Sequence, residues 1–192
     1  MKLIFATNND HKIEEMQAAI GSQIEIVSLK KAGINVEIPE PFETLEENAR
    51  AKSKFIFDLT GKNCFSEDTG LEVEALNGEP GVKSARYAGE GRSFDDNIRK
   101  LLSNLDGITD RKARFRAVIS LMIEGKEKQF EGICEGEIID NKRGKQGFGY
   151  DPVFIPRGSA KTFAEMGIDE KNQFNHRRKA ADKLVTFLSS QP

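Results

Sequence analysis

Cysteine is scarce in this chain of 192 residues: Cys64 and Cys134 are the only two, and they sit in separate apolar-rich runs. Two are too few for a disulfide framework or a zinc cluster, and they point to buried thiols in a reducing compartment. An excess of charge of one sign is also lacking. Lys plus Arg is 29 and Asp plus Glu is 31, a net charge of −2. The molecule therefore has no overall field for gripping nucleic acid or an anionic membrane, and any polyanion must be met by a local pocket. No apolar run approaches the ~18 residues of a membrane span, and the apolar stretch 3–6 is too short for a signal-peptide core. These absences predict a cytoplasmic protein with neither nucleic acid nor membrane as partner. Repeats, low-complexity tracts and an inter-domain linker are missing as well, so residues 1–192 read as a single domain with room for two lobes. At 38% apolar and 31% charged residues, a chain of this size buries roughly 70% of its unfolded surface without staples.

What is present alternates between helix and strand signals. The apolar run 3–6 suits a strand buried on both faces, and Asn8, Asn9 and Asp10 then offer N-caps to a helix with Ile13, Met16 and Ile20 inward. Gly21 stops it, and residues 24–29 alternate as a second strand. Residues 34–42 contain Pro39 and Pro41 and read as an extended loop. Thr44 and Glu47 form a capping box opening a helix that ends before Gly61. Strands are expected at 63–67 and 71–75, either side of a tight turn at Asp68-Thr69-Gly70. Ser93 and Asp96 cap another helix. Residues 113–123 alternate cleanly, and Glu124-Gly125-Lys126 turns the chain into a partner strand through Phe130, Ile133 and Ile138. A glycine-rich run at 143–152, a short strand at 153–155 and a helix from about Asn175 complete the chain. The predicted class is α/β with a mixed, twisted sheet.

Several residues break this pattern. Lys52 lies on the inner stripe of its helix, between Ala49 and Ile56. Such a lysine either lays its stem along the stripe's edge and reaches water or points its charge into a cleft, and the helix alone favours the first. The loop Thr7-Asn8-Asn9-Asp10-His11-Lys12 joins a buried strand to a helix N-terminus, where backbone donors favour anions. It is either a holder for a triphosphate tail or an ordinary cap with a solvated lysine. In Glu67-Asp68-Thr69-Gly70 adjacent carboxylates point to opposite faces, and Asp68, nearer the turn, is the better candidate for metal ligand or base. Asp-Thr-Gly also matches the aspartic protease tripeptide, but that chemistry needs a second Asp in an all-β setting, and this chain has too many capped helices. The run Gly144-x-x-Gly147-x-Gly149 fits neither the Walker nor the dinucleotide spacing. Its Phe148 and Tyr150 either stack on a base or merely line a glycine-bulged turn. Finally, His176-Arg177-Arg178-Lys179 places four cationic residues at a helix N-terminus, which normally prefers acids, and so suggests a bound anion. Helix-end donors, cationic side chains, loop aromatics and carboxylates together specify a nucleotide with Mg²⁺, an ion that takes one or two carboxylates and fills its shell with phosphate and water.

At these same residues the sequence resembles the inosine triphosphate pyrophosphatase family, which removes non-standard purine nucleoside triphosphates. Six ordered motifs carry the resemblance: Thr7-x-Asn9-x-x-Lys12, Glu46-Glu47-Asn48-Ala49-x-x-Lys52, Ser66-Glu67-Asp68-Thr69-Gly70-Leu71, Gly78-x-Pro80-Gly81-x-x-Ser84-Ala85-Arg86-Tyr87, Gly147-Phe148-Gly149-Tyr150-Asp151-Pro152, and Glu170-Lys171 with His176-Arg177. Two departures are mild: Thr69 stands for the commoner Ser, and Asn175 for the Ser before His-Arg. The resemblance implies a two-lobed fold with the nucleotide in a cleft between lobes, a homodimer, and Mg²⁺-dependent release of pyrophosphate from the triphosphates of inosine, deoxyinosine and xanthosine. It implies that Thr7, Asn8, Asn9, Asp10, His11, Lys12 and Lys52 meet the phosphates, that Glu40 and Asp68 hold Mg²⁺, and that Asp68 accepts the proton. It also implies that Thr69, Phe148, Gly149, Tyr150, Asp151, Lys171, His176 and Arg177 contact the nucleotide, with Phe148 on the base. Two rival readings are a related pyrophosphatase for modified pyrimidine nucleotides and a non-hydrolytic nucleotide-binding module.

Overall fold

A computed structural model describes residues 1–22 and 24–190. Among these, seven strands and five helices are found, and the chain divides into two compact units. Of the described residues, the first unit holds those within 1–68, 117–132 and 177–190, and the second holds 69–116 and 133–176.

In the first unit, strand β1 (Lys2–Phe5) pairs in parallel with β2 (Glu25–Ser28) and with the start of β3 (Cys64–Val73). Side chains alternate along β1, and both faces are used. Leu3 and Phe5 join a core with Met16 and Ile20 of helix α1 (Asp10–Ile20) and Ala180, Ala181 and Leu184 of helix α5 (His176–Ser189). Ile4 and Ala6 join a second core with Ile56 of helix α2 (Leu45–Thr60) and Cys64. Phe5 and Phe65 stack with ring centroids 4.4 Å apart. The strand buried on both faces is the one the unbroken apolar run predicts. Asn9 caps α1 by accepting from the Lys12 N–H, and Thr44 caps α2 by accepting from the Glu47 N–H, as the capping signals require.

The second unit is built on one core, in which Leu71, Phe115, Ile138, Phe154 and Phe163 pack with Ile98 and Leu101 of helix α3 (Phe94–Asn104). Strands β5 (Lys112–Ile123) and β6 (Lys126–Ile138) each have one end in this unit and the rest in the first, where Glu124 and Gly125 alone join them, with φ of 49° and 78°. Positive φ at both positions is the geometry of a two-residue hairpin turn. Strand β7 (Phe154–Pro156) runs antiparallel to β6, and β4 (Pro80–Gly81) antiparallel to β3. The strand order is β2-β1-β3-β5-β6-β7, with β4 beside β3. The sheet is mixed and the class is α/β, as the alternation of elements predicts. Helix α4 (Ile168–Lys171) is a single turn that the sequence pattern does not announce.

One expectation is overturned. Asp68-Thr69-Gly70 is not a turn between two strands, because β3 runs unbroken through it. Gly70 serves close packing instead: a Cβ there would lie 2.6 Å from the Gly81 carbonyl oxygen on β4.

Candidate active site

The first unit gathers two carboxylates around one nitrogen. Lys52 Nζ lies 2.7 Å from Glu40 Oε1 and 2.8 Å from Asp68 Oδ1. Lys52 is 5% exposed and Asp68 7%, so the lysine does not reach along the stripe to water as its helix alone favours. The carboxylates supply the reason, because a buried ammonium with two anionic partners is stable where a lone one is not. Burial alone would lower the Lys52 pKa, but Asp68 and then Glu40 outweigh it and the net shift is upward. Burial pushes the Asp68 carboxyl up; Lys52 and Lys12 pull it down without cancelling that rise, and Glu40 adds to it. The Lys52 direction follows from its two anionic partners, and the Asp68 direction from burial. Two anions keep the lysine protonated, while loss of water makes the Asp68 carboxyl harder to ionise.

Glu67, the next residue back along β3, points the other way and is fully buried. Its Oε1 accepts from Arg177 at 3.1 Å and its Oε2 lies 3.1 Å from Lys12 Nζ. Arg177 also donates to Glu15 Oε2. Burial pushes the Glu67 pKa up, but Arg177 and Lys12 overcome this and hold it at about 2. The cationic start of α5 thus meets protein carboxylates: Arg177 meets Glu15 and Glu67, and Arg178 meets Asp182 one turn on, at 2.8 Å. In the loop before α1, Thr7 Oγ1 accepts from the Asn9 N–H, Asn9 caps the helix, and Asn8 Nδ2 donates to the Val36 carbonyl at 3.0 Å. Asp10 opens α1, and His11 is exposed beside it.

In the second unit the glycine-rich segment is organised by Asp151. Its Oδ2 accepts from Lys171 Nζ at 2.6 Å and from the Phe148 N–H at 2.9 Å. Asp151 and Lys171 are both buried. Gly147, at φ 73°, admits no side chain, since a Cβ would stand 2.0 Å from that same oxygen. Phe148 is half-buried, with Lys171 Nζ 5.6 Å from its ring centroid and the exposed Phe94 ring 6.1 Å away. Tyr150 is not an open aromatic face. It is 3% exposed within the core, and its hydroxyl donates to the Ser84 carbonyl. His176 is buried and stacked on Phe115 at 4.8 Å. Thr69 is half-buried on β3, and Gly149 takes φ 61°.

The residues singled out from sequence therefore sort into two groups. Residues 7–12, Glu40, Lys52, Asp68 and Arg177 belong to the first unit, and Thr69, residues 148–151, Lys171 and His176 to the second. Glu15 was not anticipated. Its signal was available, because it shares the buried stripe of α1 with Met16, Ala19 and Ile20, where a carboxylate needs a partner. For a metal, Glu40 and Asp68 offer hard oxygen donors that already converge on one cation, the Lys52 ammonium. Two carboxylates fit an ion such as Mg²⁺ that fills its remaining positions with phosphate and water.

Comparison with known proteins bears on this arrangement. The Ham1 family profile matches residues 3–187. A dITP/XTP pyrophosphatase of Flavobacterium psychrophilum is 48% identical over 99% of this chain and 100% of its own length. One from Porphyromonas gingivalis is 50% identical, covering 97% of each chain. The solved structure of the Staphylococcus aureus Ham1 protein superposes with a TM-score of 0.90 at 40% identity, covering 100% of both chains. With the match running through nearly every residue, the site segments included, the chain belongs to the Ham1 family.

Proposed function

We propose that this protein hydrolyses the triphosphates of inosine, deoxyinosine and xanthosine to the monophosphate and pyrophosphate. The observation that carries the reading is the buried Lys52 held between Glu40 and Asp68, in a chain whose full-length relatives are dITP/XTP pyrophosphatases. Glu40 and Asp68 would hold Mg²⁺. When bound, that ion neutralises charge on the phosphate oxygens. Asp68 takes the proton from the water whose oxygen bonds to the α-phosphorus. The bond from that phosphorus to the bridging oxygen breaks, and pyrophosphate leaves. Lys52 and Lys12 bring positive charge to the triphosphate. Glu67 fixes Lys12, and Arg177 in turn fixes Glu67. In the second unit Phe148 offers its ring to the base, while Asp151 orders the loop and Lys171. Selection against adenine rests on donors that match a 6-oxo group and leave a 6-amino group unpaired.

The same reading places the enzyme in the cytoplasm, which its two buried cysteines, neither in a disulfide, support. Among the described residues no helix is long and apolar enough to cross a membrane. It also makes the protein a homodimer, for which light scattering would give twice the 21.4 kDa chain mass.

The decisive experiment follows products with Mg²⁺ present, resolving pyrophosphate from orthophosphate. The triphosphates of inosine and xanthosine are expected to release pyrophosphate, with much slower turnover of adenosine triphosphate. Orthophosphate as first product, or faster turnover of modified pyrimidine triphosphates, overturns the reading. Tight nucleotide binding without turnover would make the protein a binding module.

A further inference from the structure

We infer that Asn48 is a positioning residue for Glu40, acting through the backbone of Phe42; the inference rests on the pairing of Glu40 with Asp68 proposed above. Glu40 lies in the irregular segment before α2, between Pro39 and Pro41. Proline has no N–H, so neither neighbour of Glu40 has a backbone donor with which to tie the segment down. The hold comes from the side. The Phe42 N–H donates to Asn48 Oδ1 at 3.0 Å, and the Phe42 carbonyl accepts from Asn48 Nδ2 at 2.9 Å. One amide thus holds both backbone groups of the residue two places after Glu40. The Phe42 ring is 43% exposed, so backbone clamping rather than ring burial anchors this end. At the other end, Asn8 Nδ2 donates to the Val36 carbonyl.

Asn48 is 1% exposed and lies four residues before Lys52 on α2, so the two share a face one turn apart. The helix therefore sets Glu40 at two points: Asn48 fixes the backbone beside it, and Lys52 takes its carboxylate. A buried amide with both its donor and acceptor engaged has geometry to give, because either bond lost leaves a polar group without water. Packing alone would be served as well by an apolar residue here, which would leave the Phe42 backbone without this clamp.

The test is a double-mutant cycle of Asn48→Ala with Glu40→Gln, read by kcat/KM, by calorimetric Mg²⁺ binding and by hydrogen exchange at the Phe42 amide. In the wild-type background Asn48→Ala should lower kcat/KM and Mg²⁺ affinity about 10- to 100-fold, as loss of a supporting partner does. In the Glu40→Gln background it should cost almost nothing more, since its effect runs through that carboxylate. Exchange at Phe42 should accelerate while the α2 amides stay protected. Should Asn48→Ala not fold, Asn48→Leu, which fills the space and removes both the acceptor and the donor, carries the same comparison. Equal losses in both backgrounds, or unchanged exchange at Phe42, overturn the inference. If the wild-type protein releases no pyrophosphate, the functional reading fails instead, and the metal-binding and exchange arms still decide the role of Asn48.

Discussion

Replacing Asp68 with Asn keeps the outline of the side chain and removes both its charge and its capacity to take a proton. Lys52 retains Glu40 as an anionic partner at 2.7 Å, and the new amide oxygen can still accept from it. The variant should therefore fold, while turnover falls by at least ~10³ if Asp68 has the proposed roles of general base and metal ligand. Steady-state rates alongside near-ultraviolet circular dichroism check this, and a folded variant turning over at the wild-type rate would refute the role. Phe148 poses a different question at the same scale, because its ring is half-buried and its N–H is committed to Asp151. Phe148→Ala should raise KM with little change in kcat, since base–aromatic stacking contributes ~1–3 kcal/mol, and Phe148→Tyr should retain most of it. Unchanged KM in the alanine variant would reduce Phe148 to a packing residue of its loop.

Strand β3 ties the two carboxylates to different fates by alternation alone: Asp68 meets Lys52, and Glu67 meets Lys12 and Arg177 from α1 and α5. The second arrangement predicts an acid limit. A carboxyl held at about 2 when folded, against 4.5 otherwise, contributes its stability fully above pH ~4.5 and loses it as pH falls toward 2. That contribution is about 3 kcal/mol. Glu67→Gln should flatten the fall in unfolding free energy between pH 4.5 and 2 in urea titrations, and an unchanged slope would assign the acid limit elsewhere. Elements such as β1, α2 and the β5–β6 hairpin were legible in sequence because a run, a capping box or an alternation marks each. The turn expected at Gly70 was not there, because glycine marks both tight turns and close backbone approach, and only the position of Gly81 separates them. Lys52 was ambiguous for a related reason: its helix shows the stripe but not the carboxylates, 12 and 16 residues away, that neutralise it. Tyr150 and Phe148 look equivalent in a glycine-rich run, and the hydrogen bond to Ser84, 66 residues away, tells them apart.

Over the whole chain, the two compact units carry no composition break because the chain passes between them inside β3, β5 and β6 and again at His176–Arg177. A reader of sequence looks for a linker, and bonded neighbours within a strand provide none. The two cysteines acquire a use from this division. Cys64 belongs to the first unit and Cys134 to the second, with 0% and 2% exposure. Burial, with Asp58 adding to it, also pushes the Cys64 thiol up to about 12, so it stays unreactive while its surroundings are closed. An alkylating reagent can therefore mark each thiol only while the structure around it is open. The native chain comes with two clocks, one per unit, and mass-resolved labelling at rising denaturant would read them separately. A single shared rate would mean that the molecule opens as one body, and two rates would give each half its own lifetime.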